Sequence, residues 1–217
     1  MSEARPAIGP QWIKANILGG VVYVVVTSVG RLIIWLLGIE PGFATHIALA
    51  VVGIICVAGQ AFGLVIIGYL TGIVLRRKLP MFSMRSWLVL YGAIGVLFGL
   101  VMTTEWLEEP TELNTMGLDR LTVLAVGAVG LGILGALFGA VEGALQAFIL
   151  RKAASGLKAW VAYSALAGTT TIVMVPFVVY SPAPGFTTEV MWAAAGFLIT
   201  FAIAFIMLPA VNQLRPR

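Results

Sequence analysis

Residues Gly135 to Lys152 read GALFGAVEGALQAFILRK. From Gly135 to Leu150 the one charged residue is Glu142, and the run ends on the basic pair Arg151-Lys152. Such a stretch predicts a membrane-embedded helix leaving the bilayer at its basic end. At about 100° per residue, Gly132, Gly135, Gly139, Gly143, Glu142 and Gln146 fall on one arc roughly 100° wide. Small residues one turn apart let a second helix backbone approach closely. Glu142 and Gln146 are therefore expected on a packed face, not a lipid face. Glu142 precedes Arg151 by nine residues, roughly 13 Å along a helix axis, too far for a short side chain to reach the headgroups. Two readings remain: a polar functional site inside the membrane, or a neutral Glu–Gln pair bonding neighbouring helices.

The whole chain shares this character. Of 217 residues, 60% are hydrophobic and 10% charged, and the mean hydropathy is +1.05. Soluble domains carry about a quarter charged residues. So little charge cannot cover a water-facing surface, so the principal partner is the lipid bilayer. The excess of 13 Lys+Arg over 9 Asp+Glu lies in short clusters beside apolar runs and does not point to nucleic acid. One cysteine, Cys56, and one histidine, His46, exclude an intrachain disulfide and a Cys/His metal cluster. No cofactor is implied. The polar N-terminus lacks a signal peptide's basic-then-apolar pattern, and the first apolar run reads as a retained anchor.

Six apolar runs are long enough, or nearly so, to span: about 12–38, 45–75, 86–104, 121–150, 160–180 and 190–210. They make one transmembrane domain over residues 1–217, of all-α integral membrane class. Arg5, Lys14, Arg76, Arg77, Lys78, Arg85, Arg151, Lys152, Lys158, Arg215 and Arg217 fall on one side. Glu40, Glu105, Glu108, Glu109, Glu112, Asp119 and Glu189 fall on the other, with Arg120. The positive-inside rule then puts both termini in the cytoplasm and, for a bacterial source, the protein in the cell inner membrane. The outer acidic run reads first as a solvated loop.

Two hairpins look alike. Gly68, Thr71, Leu75, Arg76 and Arg77 lead to Trp87; Gly143, Gln146, Leu150, Arg151 and Lys152 lead to Trp160. The basic pairs are 75 residues apart. A parallel repeat of a two-helix unit, spans 2–3 and 4–5, explains this. So does the general demand for basic loops and interfacial tryptophans. The second hairpin, G-x-x-Q-x-x-x-L-R-[RK] followed by a loop and a Trp, resembles a pattern in uncharacterised bacterial multi-pass membrane proteins. The first hairpin departs from it at Thr71. The resemblance implies a membrane hairpin and no chemistry.

Arg31 is the second charge inside a span, on a face with Asn16, Gly20, Tyr23, Thr27 and Ser28. It either snorkels outward or serves a site. The axial gap to Glu142 is about 18 Å, too long for a direct pair without strong tilt. Arg31 and Glu142 would instead mark opposite ends of a polar track passing Gln60 and Thr169-Thr170-Thr171. A threonine run more often bonds its own backbone. His46 reads as an interface residue and Cys56 as a small buried apolar one.

No nucleophile–base pair, metal-ligand cluster or phosphate loop appears, so the chain is not expected to be an enzyme. The favoured expectation is a non-catalytic accessory or structural subunit of a larger membrane complex, with a membrane-protein partner or further copies of itself. The alternative is a small-solute transporter or an importer's substrate-binding subunit. In size and topology the chain resembles the substrate-capturing subunits of energy-coupling-factor vitamin importers, whose first-helix small-residue motif is met loosely by Ala15 and Gly19. A glycine stripe facing lipid would favour the first class. A stripe buried within the bundle would remove that argument.

Overall fold

The computed structural model describes residues 8–39, 46–104, 120–173 and 186–217. Six helices occupy nearly all of them: α1 (Gly9–Leu36), α2 (His46–Lys78), α3 (Met84–Thr104), α4 (Arg120–Leu150), α5 (Leu157–Val173) and α6 (Phe186–Gln213). Two short strands, β1 (Ala154–Ser155) and β2 (Arg215–Pro216), pair antiparallel. Among the described residues, five helices are long and apolar enough to cross a membrane, within Gly9–Leu36, His46–Lys78, Met84–Thr103, Ala128–Leu150 and Gly196–Gln213. The chain is thus an all-α, multi-pass membrane-type protein. The expected fifth span, 160–180, coincides with α5 as far as Val173; its remainder, like the outer acidic loop, lies outside the described residues.

Local chemistry sets the helix ends. Pro10 sits in the first turn of α1, where its missing N–H costs nothing, and the helix begins three residues before the expected start. The other end closes on Gly38, at φ +67. There Gly38 N–H donates to Trp35 O (2.9 Å) and Ile39 N–H to Ile34 O (3.4 Å), the Schellman arrangement that favours glycine. At the start of α3, Ser83 accepts from Ser86 N–H at 3.3 Å, an N-cap.

α2 runs three residues beyond its expected end, through Arg76, Arg77 and Lys78. The extra turn carries Lys78 Nζ to the last carbonyls of α6, 2.7 Å from Val211 O and 3.2 Å from Asn212 O. A cation at a helix C-terminus meets unpaired carbonyls and the negative end of the dipole. Lys78→Met, which keeps the apolar stem, is expected to cost about 0.5–1 kcal/mol. A lowered thermal midpoint in detergent, recovered with arginine at this position, checks it.

The helices pack in the order α3–α2–α1–α6–α5–α4, and the two ends of this row, α3 and α4, touch only lightly. The bundle is an open ring with a seam between α3 and α4. Its core lies at one pole, where Ile8, Trp12, Leu75, Leu79, Phe82, Trp87, Leu150, Trp160, Val211 and Leu214 form one buried cluster. The α2–α3 and α4–α5 connections, the start of α1 and the C-terminal tail all meet there. The tail is tied down by the β1–β2 pair and by Arg217 N–H on Ala153 O at 3.1 Å.

Within each hairpin the backbones come close. A Cβ at Gly95 would meet the backbone of Gln60 and Ala61, and one at Gly168 the carbonyl of Gly135 and the backbone of Gly139. Gly68 lies against the ring of Tyr91, and Gly143 against the side chain of Ser164. Gly132, Gly135, Gly139 and Gly143 are all buried; Gly139 and Gly143 pack directly on α5. Gly135, Gly139 and Gly143 thus form the inner contact of the α4–α5 pair. They offer no support for a partner subunit docking on them.

Candidate functional site

Just above the buried pole, polar side chains from four helices converge. Trp160, at the start of α5, donates its indole N–H to Gln146 Oε1 of α4 at 2.8 Å. The Gln146 amide nitrogen donates to Glu142 Oε1 at 2.7 Å. The same nitrogen lies 3.5 Å from the Tyr91 hydroxyl of α3. On α3, the Trp87 indole N–H points at Thr71 Oγ1 of α2, 3.4 Å away. Thr71 itself donates to Ile67 O at 2.8 Å. Gln146 is 4% exposed and Thr71 1%, whereas Glu142 is only half-buried.

Aromatic rings floor this layer. Trp87 and Trp160 meet edge to face at 6.2 Å between centroids, Trp12 meets Trp160 at 5.9 Å, and Phe82 meets Trp87 at 5.5 Å. Trp87 and Tyr91 pack at 5.2 Å. Such contacts add about 0.5–1.5 kcal/mol each beyond area burial. The Trp12 indole nitrogen is buried with no hydrogen-bond partner among the described residues, so its ring is held by packing against Trp160 and the surrounding apolar cluster.

The structure brings Glu142 and Gln146 together as the sequence suggests, and adds Trp160, Tyr91, Trp87 and Thr71. Gln60 lies elsewhere, on the α1–α2 contact, where it accepts from the Tyr23 hydroxyl at 2.6 Å. Arg31 is half-buried in the last turns of α1, toward the pole opposite the aromatic floor. Thr169 and Thr170 donate to their own backbone, on Ala165 O and Leu166 O, each at 3.1 Å. Their hydroxyl protons are thereby committed to the helix backbone, and the Thr171 side chain lies outside the described residues. His46 opens α2 and is exposed, and Cys56 is half-buried.

Tyr91 and Trp12 escape sequence reading because aromatic residues in apolar runs look alike until helices are packed. One signal was present: Tyr91 follows Trp87 by one helical turn and shares its face.

Chemically the site offers one carboxyl, one amide of fixed orientation and one phenol, in an apolar surround. Among the described residues no three His, Cys, Asp or Glu side chains gather as a metal site. No protein-family model, no curated protein and no solved structure matches this chain.

Proposed function

We propose that this chain is a six-span inner-membrane protein with both termini in the cytoplasm, and that it binds a small polar solute between two repeated hairpins. It acts as a transporter or as the solute-capturing membrane subunit of an importer. The observation that carries this reading is the Tyr91–Gln146–Glu142 constellation, contributed by α3 and α4 beside the seam where they barely touch. Sites at the meeting of repeated units are common in transporters, and an intramembrane carboxyl is expensive to keep without a task.

Matched contacts support the repeat. Thr71 and Gln146, Gly68 and Gly143, Gln60 and Gly135, and Leu75 and Leu150 are each 75 residues apart. Their respective neighbours Trp87 and Trp160, Tyr91 and Ser164, and Gly95 and Gly168 are each 73 apart. Corresponding pairs make corresponding contacts: indole N–H to polar side chain, glycine to side chain, glycine to carbonyl. A general rule about basic loops asks only for the tryptophans and the charges. It does not ask for these contacts. The second hairpin departs from the first where it carries Glu142, since Ile67 occupies the corresponding place.

The orientation rests on the basic residues of the α2–α3 and α4–α5 connections and the tail, which gather at the aromatic pole. A reporter fused after Arg217 is expected to read as cytoplasmic; an external reading overturns the topology. Glu142→Gln is expected to reduce solute binding at least about tenfold, as loss of one charge-assisted contact implies, with the thermal midpoint nearly unchanged. A thermal-shift screen of small polar metabolites against wild type and variant reads both. A variant that only unfolds points instead to helix bonding as the role of the pair.

A further inference from the structure

The indole N–H of Trp160 can only donate. The atom it meets on Gln146 must therefore be the amide oxygen, which removes the usual ambiguity of an amide's orientation. The Gln146 NH2 group is then forced toward Glu142, where it meets Oε1 at 2.7 Å. Oε1 is thus committed as an acceptor, and any proton on this carboxyl resides on Oε2. Glu142 is half-buried, at the edge of the packed face of α4 beside the exposed Phe138 and Leu145, on the helix that borders the seam.

We infer that Glu142 Oε2 is a proton-exchange site reached through the α3–α4 seam, with Gln146 and Trp160 as the residues that position it. The surroundings are otherwise uncharged among the described residues. α3 brings Tyr91, the titratable side chain facing the carboxyl; α4 brings Gln146, and α5 brings Trp160 behind it. The relay Trp160→Gln146→Glu142 presents an N–H donor to Oε1, so removing Gln146 leaves that oxygen without the hydrogen bond it now accepts. The inference rests on the same carboxyl as the proposed function but needs no solute.

The test is labelling of the purified protein, in lipid vesicles, with dicyclohexylcarbodiimide. The protonated carboxyl adds to this apolar reagent. Its oxygen bonds the carbodiimide carbon, its proton passes to a carbodiimide nitrogen, and the adduct rearranges to an N-acylurea with no leaving group and no redox change. Peptide mass spectrometry then reads Glu142 across pH. Labelling of Glu142 is expected, falling about tenfold per pH unit on the alkaline side. In Gln146→Leu, which removes the donor on Oε1, labelling should persist to higher pH. Trp160→Phe should shift it the same way by less, and serves if Gln146→Leu does not fold. An unlabelled Glu142 in the folded protein, or a pH profile unmoved by both variants, overturns the inference. Either failure leaves solute binding, read by Glu142→Gln, standing on its own.

Discussion

Gly168→Val is expected to lose about 3 kcal/mol of stability, the upper range for overpacking a tight contact. Gly168 faces the Gly135 carbonyl and the Gly139 backbone, and Gly139 in turn faces the Ser164 carbonyl and Gly168. A side chain there meets backbone, which cannot swing aside as a flexible side chain does. The α4–α5 pair would have to separate, drawing Trp160 away from Gln146. The matched control is Gly130→Val on α4, whose added Cβ meets nothing within 4 Å; it is expected to stay within about 0.5 kcal/mol of wild type. Unfolding in mild detergent, followed by tryptophan fluorescence, separates the two. Equal losses would mean that the two backbones do not approach here.

Gln146→Leu should cost about 2 kcal/mol. Interhelical hydrogen bonds in membranes average only about 0.6 kcal/mol and reach about 1.7, so the bond from Trp160 alone does not account for this figure. The larger part comes from what remains: a buried indole N–H and a carboxyl that have both lost their partner. The combination Glu142→Leu, Gln146→Leu and Trp160→Phe, which removes every member of the relay, should therefore be less damaging than the sum of the three single changes. Additive losses would show that these groups are not coupled.

These two sites also show what a sequence reveals and what it withholds. The spacing of Gly135, Gly139 and Gly143 is enough to place a close helix contact there, and Glu142 with Gln146 beside it. It does not name the partner helix, because Ser164 and Gly168 become recognisable only once α5 is laid against α4. The helix ends differ from hydropathy for a similar reason. Arg76 to Lys78 look like a loop by charge, yet they continue α2 because Lys78 finds the carbonyls of α6. Gln60 looks like part of a mid-membrane track, yet Tyr23 claims it. Tyr91 carries only its one-turn spacing from Trp87 as a sequence mark, and its hydroxyl is recognised as part of the site once its ring is packed against Trp87 and Gly68.

Native mass spectrometry of the tagged protein, purified from its own host in mild detergent, tests the proposed solute-binding role most directly. The chain is expected to emerge without a stoichiometric protein partner of the accessory-subunit kind, carrying a small polar molecule that Glu142→Gln no longer retains. A defined partner protein at constant stoichiometry, with no small molecule lost on Glu142→Gln, would contradict the account. It would make the Glu142–Gln146 pair part of a subunit's packing.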